Sequence, residues 1–510
     1  MPKINEQIAG QLMTKRKWPE AIKSLTDLIA NDHDQCGPSV YEKLATCLRF
    51  EREYDQALLI LKEGIKKYPE NVKLKKEIYE LFRTQREWDK AKSVAKKMIE
   101  LEPEEGRHYF ELAYCHSVLE EIEPASECLV MALEKKHNKS IDEIVNIIKN
   151  DLSVSSASLN SSYIILGGRN NLGFIKHVEN SPSGKEYLTK IVNATKKEKN
   201  EIFFTHIVKH IPQLENITPG LVGISKLNDT SFITMEKING YPPKTNDIQQ
   251  IAKAVFNNMP RLGGNENVLC SFNLPSQAST LRLRNCIHFF MYVHEESANK
   301  RLIDFLGKEL SSQPPEFIAI LDKLKKLIID TKLYKSIDPK LHYGLLHGDL
   351  GPHNILIEEI TGKPYVIDWD GYIIGPAWFD IADLFVRVKL KFKVIERTYL
   401  SKPGLGRKLN NIEKIFFIYA LIIMWLRRLD VTEDDKEAYL KNNLLPALEC
   451  LEQLVSKEIK KISIKKIFFR RTNSLRKLKH GLSHFYISRK RMLSNKIFKV
   501  SRKIRFYISQ

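Results

Sequence analysis

Two stretches carry the side chains best suited to chemistry: HGDLGPHNIL at residues 347–356 and YVIDWDGY at 365–372. The first sets Asp349 five residues ahead of Asn354, and the second adds Asp368 and Asp370. A carboxylate and a carboxamide at that spacing can face each other across one short loop. An extended run over 365–367 then brings Asp368 to a strand end beside them. Oxygen-bearing side chains gathered this way can position a hydroxyl and hold magnesium, a hard cation that prefers oxygen ligands. The chain has no Walker A pattern, which argues against a P-loop NTPase.

Elements able to position a nucleotide lie upstream. Residues from 154 onward read as strands on either side of GGRNN. There Gly167 and Gly168, followed by Asn170, permit a tight bend and close approach of the backbone to a ligand. Lys190 falls in the strand-like run EYLTKIV, ahead of a helical segment that offers two acids, Glu198 and Glu201. A strand lysine paired with a helix glutamate fixes nucleotide phosphates in kinases. Glu201, next to the apolar IFF, is the preferred partner, and Glu198 stays open as the other. TSFITMEKINGYPP reads as a central strand leaving its sheet at Met235 and Glu236, into a connector whose backbone could hydrogen-bond adenine.

At 510 residues the chain has room for two to four domains, and its 43% hydrophobic and 28% charged content is that of a folded protein. Seven scattered cysteines without a CxxC give no support for zinc or a catalytic thiol and point to a reducing compartment. The first ten residues lack the apolar core of a secretory signal. The longest apolar run, IFFIYALIIMWL at 415–426, is too short to span a bilayer and reads as a buried helix.

An offset of 34 residues recurs near the N-terminus: Tyr54 and Ala57 are echoed by Trp88 and Ala91, Ala91 by Ala125, and Pro69 by Pro103. Small residues meeting large apolar ones at helical spacing is what two closely packed antiparallel helices require. The pattern resembles the tetratricopeptide repeat, so residues 1–140 are expected to form three to four helical pairs that offer a surface to a protein partner. An irregular helical bundle is the alternative.

The order GG, Lys190, Met235, Asp349, Asn354, Asp368 resembles the aminoglycoside phosphotransferase and choline kinase superfamily, of protein-kinase-like fold, over about residues 160–430. The resemblance implies a multidomain chain. An all-α repeat solenoid precedes an α+β bilobal domain, with an N-lobe at 154–240 and a C-lobe at 241–450, and a basic tail follows at 451–510. It also implies ATP or GTP as phosphoryl donor and magnesium as cofactor. Asp349 matches the residue that orients the acceptor hydroxyl, while Asn354 and Asp368 match the metal ligands. Asp370 matches a second acidic position, His347 a loop brace, and Asp380 a buried acid supporting the loop from a helix start. The loop GGRNNLGF departs from the family pattern by its second Asn, which leaves its phosphate contacts open. Asp380 follows Asp368 by only twelve positions, too few for a long activation segment, so a small-molecule or glycan acceptor is favoured over a protein. The competing view is a repeat-based scaffold with an inactive kinase-like domain.

The net charge of +19 is local: residues 457–510 hold eighteen Lys or Arg against one acid, a net of +17, which leaves +2 for the rest. Basic pairs alternate there with Ile, Phe and Tyr, the pattern of a segment lying on an anionic membrane surface. The expected location is cytoplasmic and peripheral on the inner face of a membrane, near a lipid-linked acceptor of surface-polysaccharide synthesis. A solvated or protein-bound tail is the alternative, and nucleic acid is the weakest reading of the same charge, since no nucleic-acid-binding motif accompanies it.

Overall fold

The computed structural model describes residues 2–463 except 15–16, 33–35, 153–158, 166–172, 180–183, 194–200, 270–290, 312 and 430–435. Gly167, Gly168, Asn170 and Glu198, and the tail beyond 463, therefore lie outside the described residues. The chain divides into two compact units: Met1–Lys209 with Thr218–Asn239, and His210–Ile217 with Gly240–Gln510.

Unit 1 begins with helices α1 (Pro2–Thr14), α2 (Trp18–Asp32), α3 (Pro38–Phe50), α4 (Tyr54–Lys67), α5 (Val72–Gln85), α6 (Trp88–Leu101), α7 (Gly106–Val118), α8 (Ile122–His137) and α9 (Ile141–Asn150). The period is visible in the backbone. Helices α4, α6 and α8 start at residues 54, 88 and 122, and α3, α5 and α7 at 38, 72 and 106, each 34 apart. Arg52, Arg86 and Glu120 turn the chain between paired helices in the left-handed region at the same interval. Ala21, Ala57, Ala91 and Ala125 are all fully buried, each a small side chain that lets two helices approach closely.

A five-stranded sheet follows, with β1 (Leu159–Ile165), β2 (Gly173–Glu179), β3 (Glu186–Asn193), β4 (Leu221–Leu227) and β5 (Thr230–Glu236) in the order β1-β2-β3-β5-β4, every pair antiparallel. Strand alternation puts Ile191 and Thr189 on one face and Lys190 on the other. The Ile191 face is covered by the end of the repeat array. Ala113, Leu129, Leu133, Ile144 and Ile148 form one buried cluster with Ile175, Ile191 and Phe232. Helix α9 is well set for this, because Ser140 and Glu143 close a capping box at its start. Ile144 and Ile148 are fully buried, each worth about 2 kcal/mol. Beneath it His177, Thr189 and Thr234 form a buried polar chain, each contact 2.7 Å long, and Ser225 donates to the Ile148 carbonyl at 3.3 Å.

Unit 2 has two small sheets among helices. Strands β6 (Gly240–Tyr241), β7 (Tyr343–Leu346), β8 (Ile355–Glu358), β9 (Pro364–Val366) and β10 (Ile373–Pro376) pair as β6-β8-β9 and β10-β7. The main helices are α10 (Ile248–Asn258), α11 (Glu296–Glu309), α12 (Pro315–Leu324), α13 (Phe379–Arg387) and α14 (Asn411–Arg427). The apolar run at 415–426 lies in α14 with every residue buried, so its hydrophobicity serves this unit's core. The chain is helical again up to residue 463, with Leu451 and Val455 buried and Glu458 accepting from Asn411 at 3.3 Å. The helical packing of this unit thus runs on to residue 463.

Candidate active site

In unit 2 the site is built on β7, the loop after it, β8 and the end of β9. Asp380, in the first turn of α13, is 2% exposed. Its carboxylate accepts the backbone N–H of His347 at 2.5 Å and of Gly348 at 3.1 Å. Burial pushes the Asp380 carboxyl up to about 7, outweighing the two amides, which lower it. Gly348 sits at φ +81, where a Cβ would also strike the Gly371 carbonyl, so only glycine passes here. The His347 ring is fully buried and stands edge-on to Trp369. It accepts from the Asp349 N–H at Nδ1 (3.3 Å), which leaves Nε2 to donate to the Ile367 carbonyl at 2.8 Å. These contacts make His347 a brace between the loop and the end of β9.

Asp349 follows on this braced backbone, half-exposed, with the Arg387 guanidinium 2.6 Å from Oδ1 and His353 Nε2 3.7 Å from Oδ2. Asn354 is 5% exposed. Its Nδ2 donates to the Asp349 carbonyl at 2.8 Å, and its own carbonyl accepts from the Ile367 N–H at 2.9 Å. The loop and the segment after β9 are tied by that bond, which sets Asp368 just beyond. Asp368 adopts the left-handed conformation, φ 63 and ψ 55, at the start of a short turn that carries Asp370. Both residues are partly exposed, and Asp370 Oδ2 is buried.

In unit 1, Lys190 is 4% exposed on β3, between Phe174 of β2 and Ile233 of β5. The Glu201 carboxylate takes Lys226 of β4 at 2.5 Å. Glu236 pairs with Lys185 at 2.5 Å. Its amide donates to the Gly220 carbonyl at 2.9 Å and that of Lys237 to Glu186 at 3.0 Å, so both donors serve the sheet. Met235 lies within β5, opposite Leu188 and Leu221.

Sequence reasoning missed Arg387 and Asp383. Arg387 Nε donates to Asp383 at 2.9 Å, and Asp383 is 3% exposed. A signal was present: Asp380, Asp383 and Arg387 recur at three- and four-residue steps along one helix face.

Residues 294–395 match the model of the phosphotransferase enzyme family. No curated protein matches the chain. Among solved structures, the amicoumacin kinase hAmiN in complex with AMP-PNP, Ca2+ and Ami is similar at 13% identity, over 64% of this chain and 96% of that one, with a TM-score of 0.33. MamA from Desulfovibrio magneticus RS-1 is similar at 14% identity, over 27% of this chain and 77% of that one, TM-score 0.25. A tetratricopeptide repeat protein from Parabacteroides merdae ATCC 43184 is similar at 14% identity, over 28% and 55%, TM-score 0.26. The family match spans β7, the loop with Asp349 and Asn354, the Asp368 turn and α13. Residues 294–395 thus resemble the phosphotransferase enzyme family, in a chain that opens with tetratricopeptide-like repeats.

Proposed function

We propose that the chain transfers the γ-phosphoryl group of ATP or GTP to a hydroxyl of a small molecule or glycan, with magnesium as cofactor. The observation that carries this is the double amide clamp of Asp380 on His347 and Gly348, which presents Asp349 half-exposed on a fixed backbone. In this reading Asp349 orients the acceptor hydroxyl and takes its proton. Asn354 suits a cation because its Nδ2 is spent on the Asp349 carbonyl, which turns Oδ1 away from that bond. With the Asp368 carboxylate it makes an all-oxygen donor pair of the kind magnesium takes. Bound there, the metal would supply charge neutralisation for the transferring phosphoryl group. Lys190 would bind nucleotide phosphates, with Gly167, Gly168 and Asn170 in the loop before it and Met235–Glu236 beside the base. The purified chain is expected to hydrolyse ATP slowly with magnesium and faster with its acceptor. Asp349→Asn should cut turnover by about 10²–10⁴-fold, the usual worth of a general base. Equal turnover in Asp349→Asn or Asp368→Ala would overturn the assignment and favour a scaffold. A screen of sugars, amino alcohols and lipopolysaccharide fragments identifies the acceptor.

We also read the basic C-terminal stretch as a contact with an anionic membrane, beside a lipid-linked glycan acceptor, while the repeats take a protein partner. Among the described residues no helix is long and apolar enough to cross a membrane. Residues 464–510 hold fifteen Lys or Arg and no acid, each worth roughly 1 kcal/mol near an anionic surface. Ending the chain at 463, after the packed helix, should abolish co-sedimentation with phosphatidylserine vesicles at low salt. Unchanged binding would refute the lipid reading, and nuclease-sensitive binding would assign the tail to nucleic acid.

A further inference from the structure

Helix α13 holds Asp349 twice. At its N-terminal end Asp380 clamps the backbone of the loop, and at its C-terminal end Arg387 reaches the side chain. The Arg387 side chain is 18% exposed and forks: Nε donates to Asp383 Oδ2 at 2.9 Å, and Nη2 to Asp349 Oδ1 at 2.6 Å. Asp383 is the buried anchor, its side chain 4% exposed, with Arg428 Nη2 lying 3.7 Å from its second oxygen. A planar guanidinium holds both carboxylates in one geometry, which a single ammonium cannot. Space is kept for it at Gly351. A Cβ there would lie 3.0 Å from Arg387 Nη1 and 2.6 Å from the His353 ring, although φ −117 is open to any residue.

We propose that Arg387 is a positioning residue for the Asp349 carboxylate: it ties up Oδ1, so that Oδ2, on the His353 side, is the oxygen that meets the acceptor hydroxyl. A hydroxyl approaching Oδ1 would compete with a charge-assisted bond anchored on a buried acid. One arrival direction is thereby selected. This rests on the phosphotransfer reading above, in which Asp349 takes the acceptor proton.

The test uses the full chain with magnesium and ATP, water standing in for the unidentified acceptor. Arg387→Lys keeps a cation beside Asp383 and is expected to fold with a Tm near wild type. Its KM for ATP should stay within about twofold while kcat falls roughly 10- to 100-fold, the usual effect of misplacing a catalytic group by about 1 Å. Millimolar ethylguanidinium, and not ethylamine, should restore part of the turnover of Arg387→Ala. Wild-type kcat in Arg387→Lys would overturn the proposal, as would a loss that follows Tm or KM for ATP instead of kcat. A wild-type chain no more active than Asp368→Ala would instead refute the phosphotransfer reading, and this inference with it.

Discussion

Replacing Asp380 by Asn keeps the side chain's shape and removes one of its two acceptors. The carboxylate receives the amides of His347 and Gly348 at 2% exposure. Even when protonated, a carboxyl keeps an accepting oxygen for each amide with its own O–H turned away, whereas a carboxamide can accept only one of them and turns its NH2 toward the other. A buried donor left unpaired costs about 1–3 kcal/mol. The wild-type side of the comparison depends on pH. Burial raises the Asp380 carboxyl from 3.8 to about 7, so the folded chain holds this proton more tightly than the unfolded one. Its stabilising contribution is complete below about pH 4 and is lost as pH rises through 7, by up to about 1.4 kcal/mol per unit. Between pH 5.5 and 7 that amounts to about 2 kcal/mol, and an Asn has no such slope. Asp380→Asn is therefore expected to destabilise unit 2 by about 2 kcal/mol at pH 5.5, with the gap closing towards pH 8. Urea unfolding followed by tryptophan fluorescence suits the measurement, because Trp369, Trp378 and Trp425 are fully buried in this unit. Native-state hydrogen exchange at the 347 and 348 amides reads the clamp directly. A gap that stays flat with pH would mean Asp380 is ionised throughout, and unchanged exchange at both amides would mean the clamp does not hold the loop.

Unit 1 should respond to pH in the opposite sense: burial lowers His177 to about 4, so its contribution is present above pH 6.5 and lost as pH falls toward 4, by up to about 3 kcal/mol. An undiminished acid slope in His177→Gln would refute this. Phe232→Ala should cost about 3–5 kcal/mol, and removal of residues 1–140 should leave a chain that aggregates, since both strip the cluster joining the repeats to the sheet. A monomeric truncated chain with wild-type melting on size exclusion and thermal unfolding would count against that. Ala91→Leu forces a larger side chain into the fully buried helix contact and should lower stability by about 1–3 kcal/mol in urea, whereas a neutral result would show that the repeats repack freely.

What was legible from sequence alone is what depends on neighbours along the chain. The 34-residue interval is carried by Ala57, Ala91 and Ala125, because helix pairing demands a small residue at the same point of each turn. Asp349, Asn354 and Asp368 are bound by their short separation to one loop and the strand end beside it. The run at 415–426 declares itself a core helix because burial on all sides leaves no polar face. Tertiary structure decided what depends on choice among many candidates. Glu201 takes Lys226 because β4 brings that lysine to the helical segment. The amide of Glu236 goes to Gly220 because β5 is an interior strand, and α9 becomes the cover of a sheet that begins after it in the chain. Arg387 meets Asp349 across 38 residues of sequence. A charge has many possible partners at that range, and only the folded backbone, by fixing direction and excluding water, makes one of them the partner.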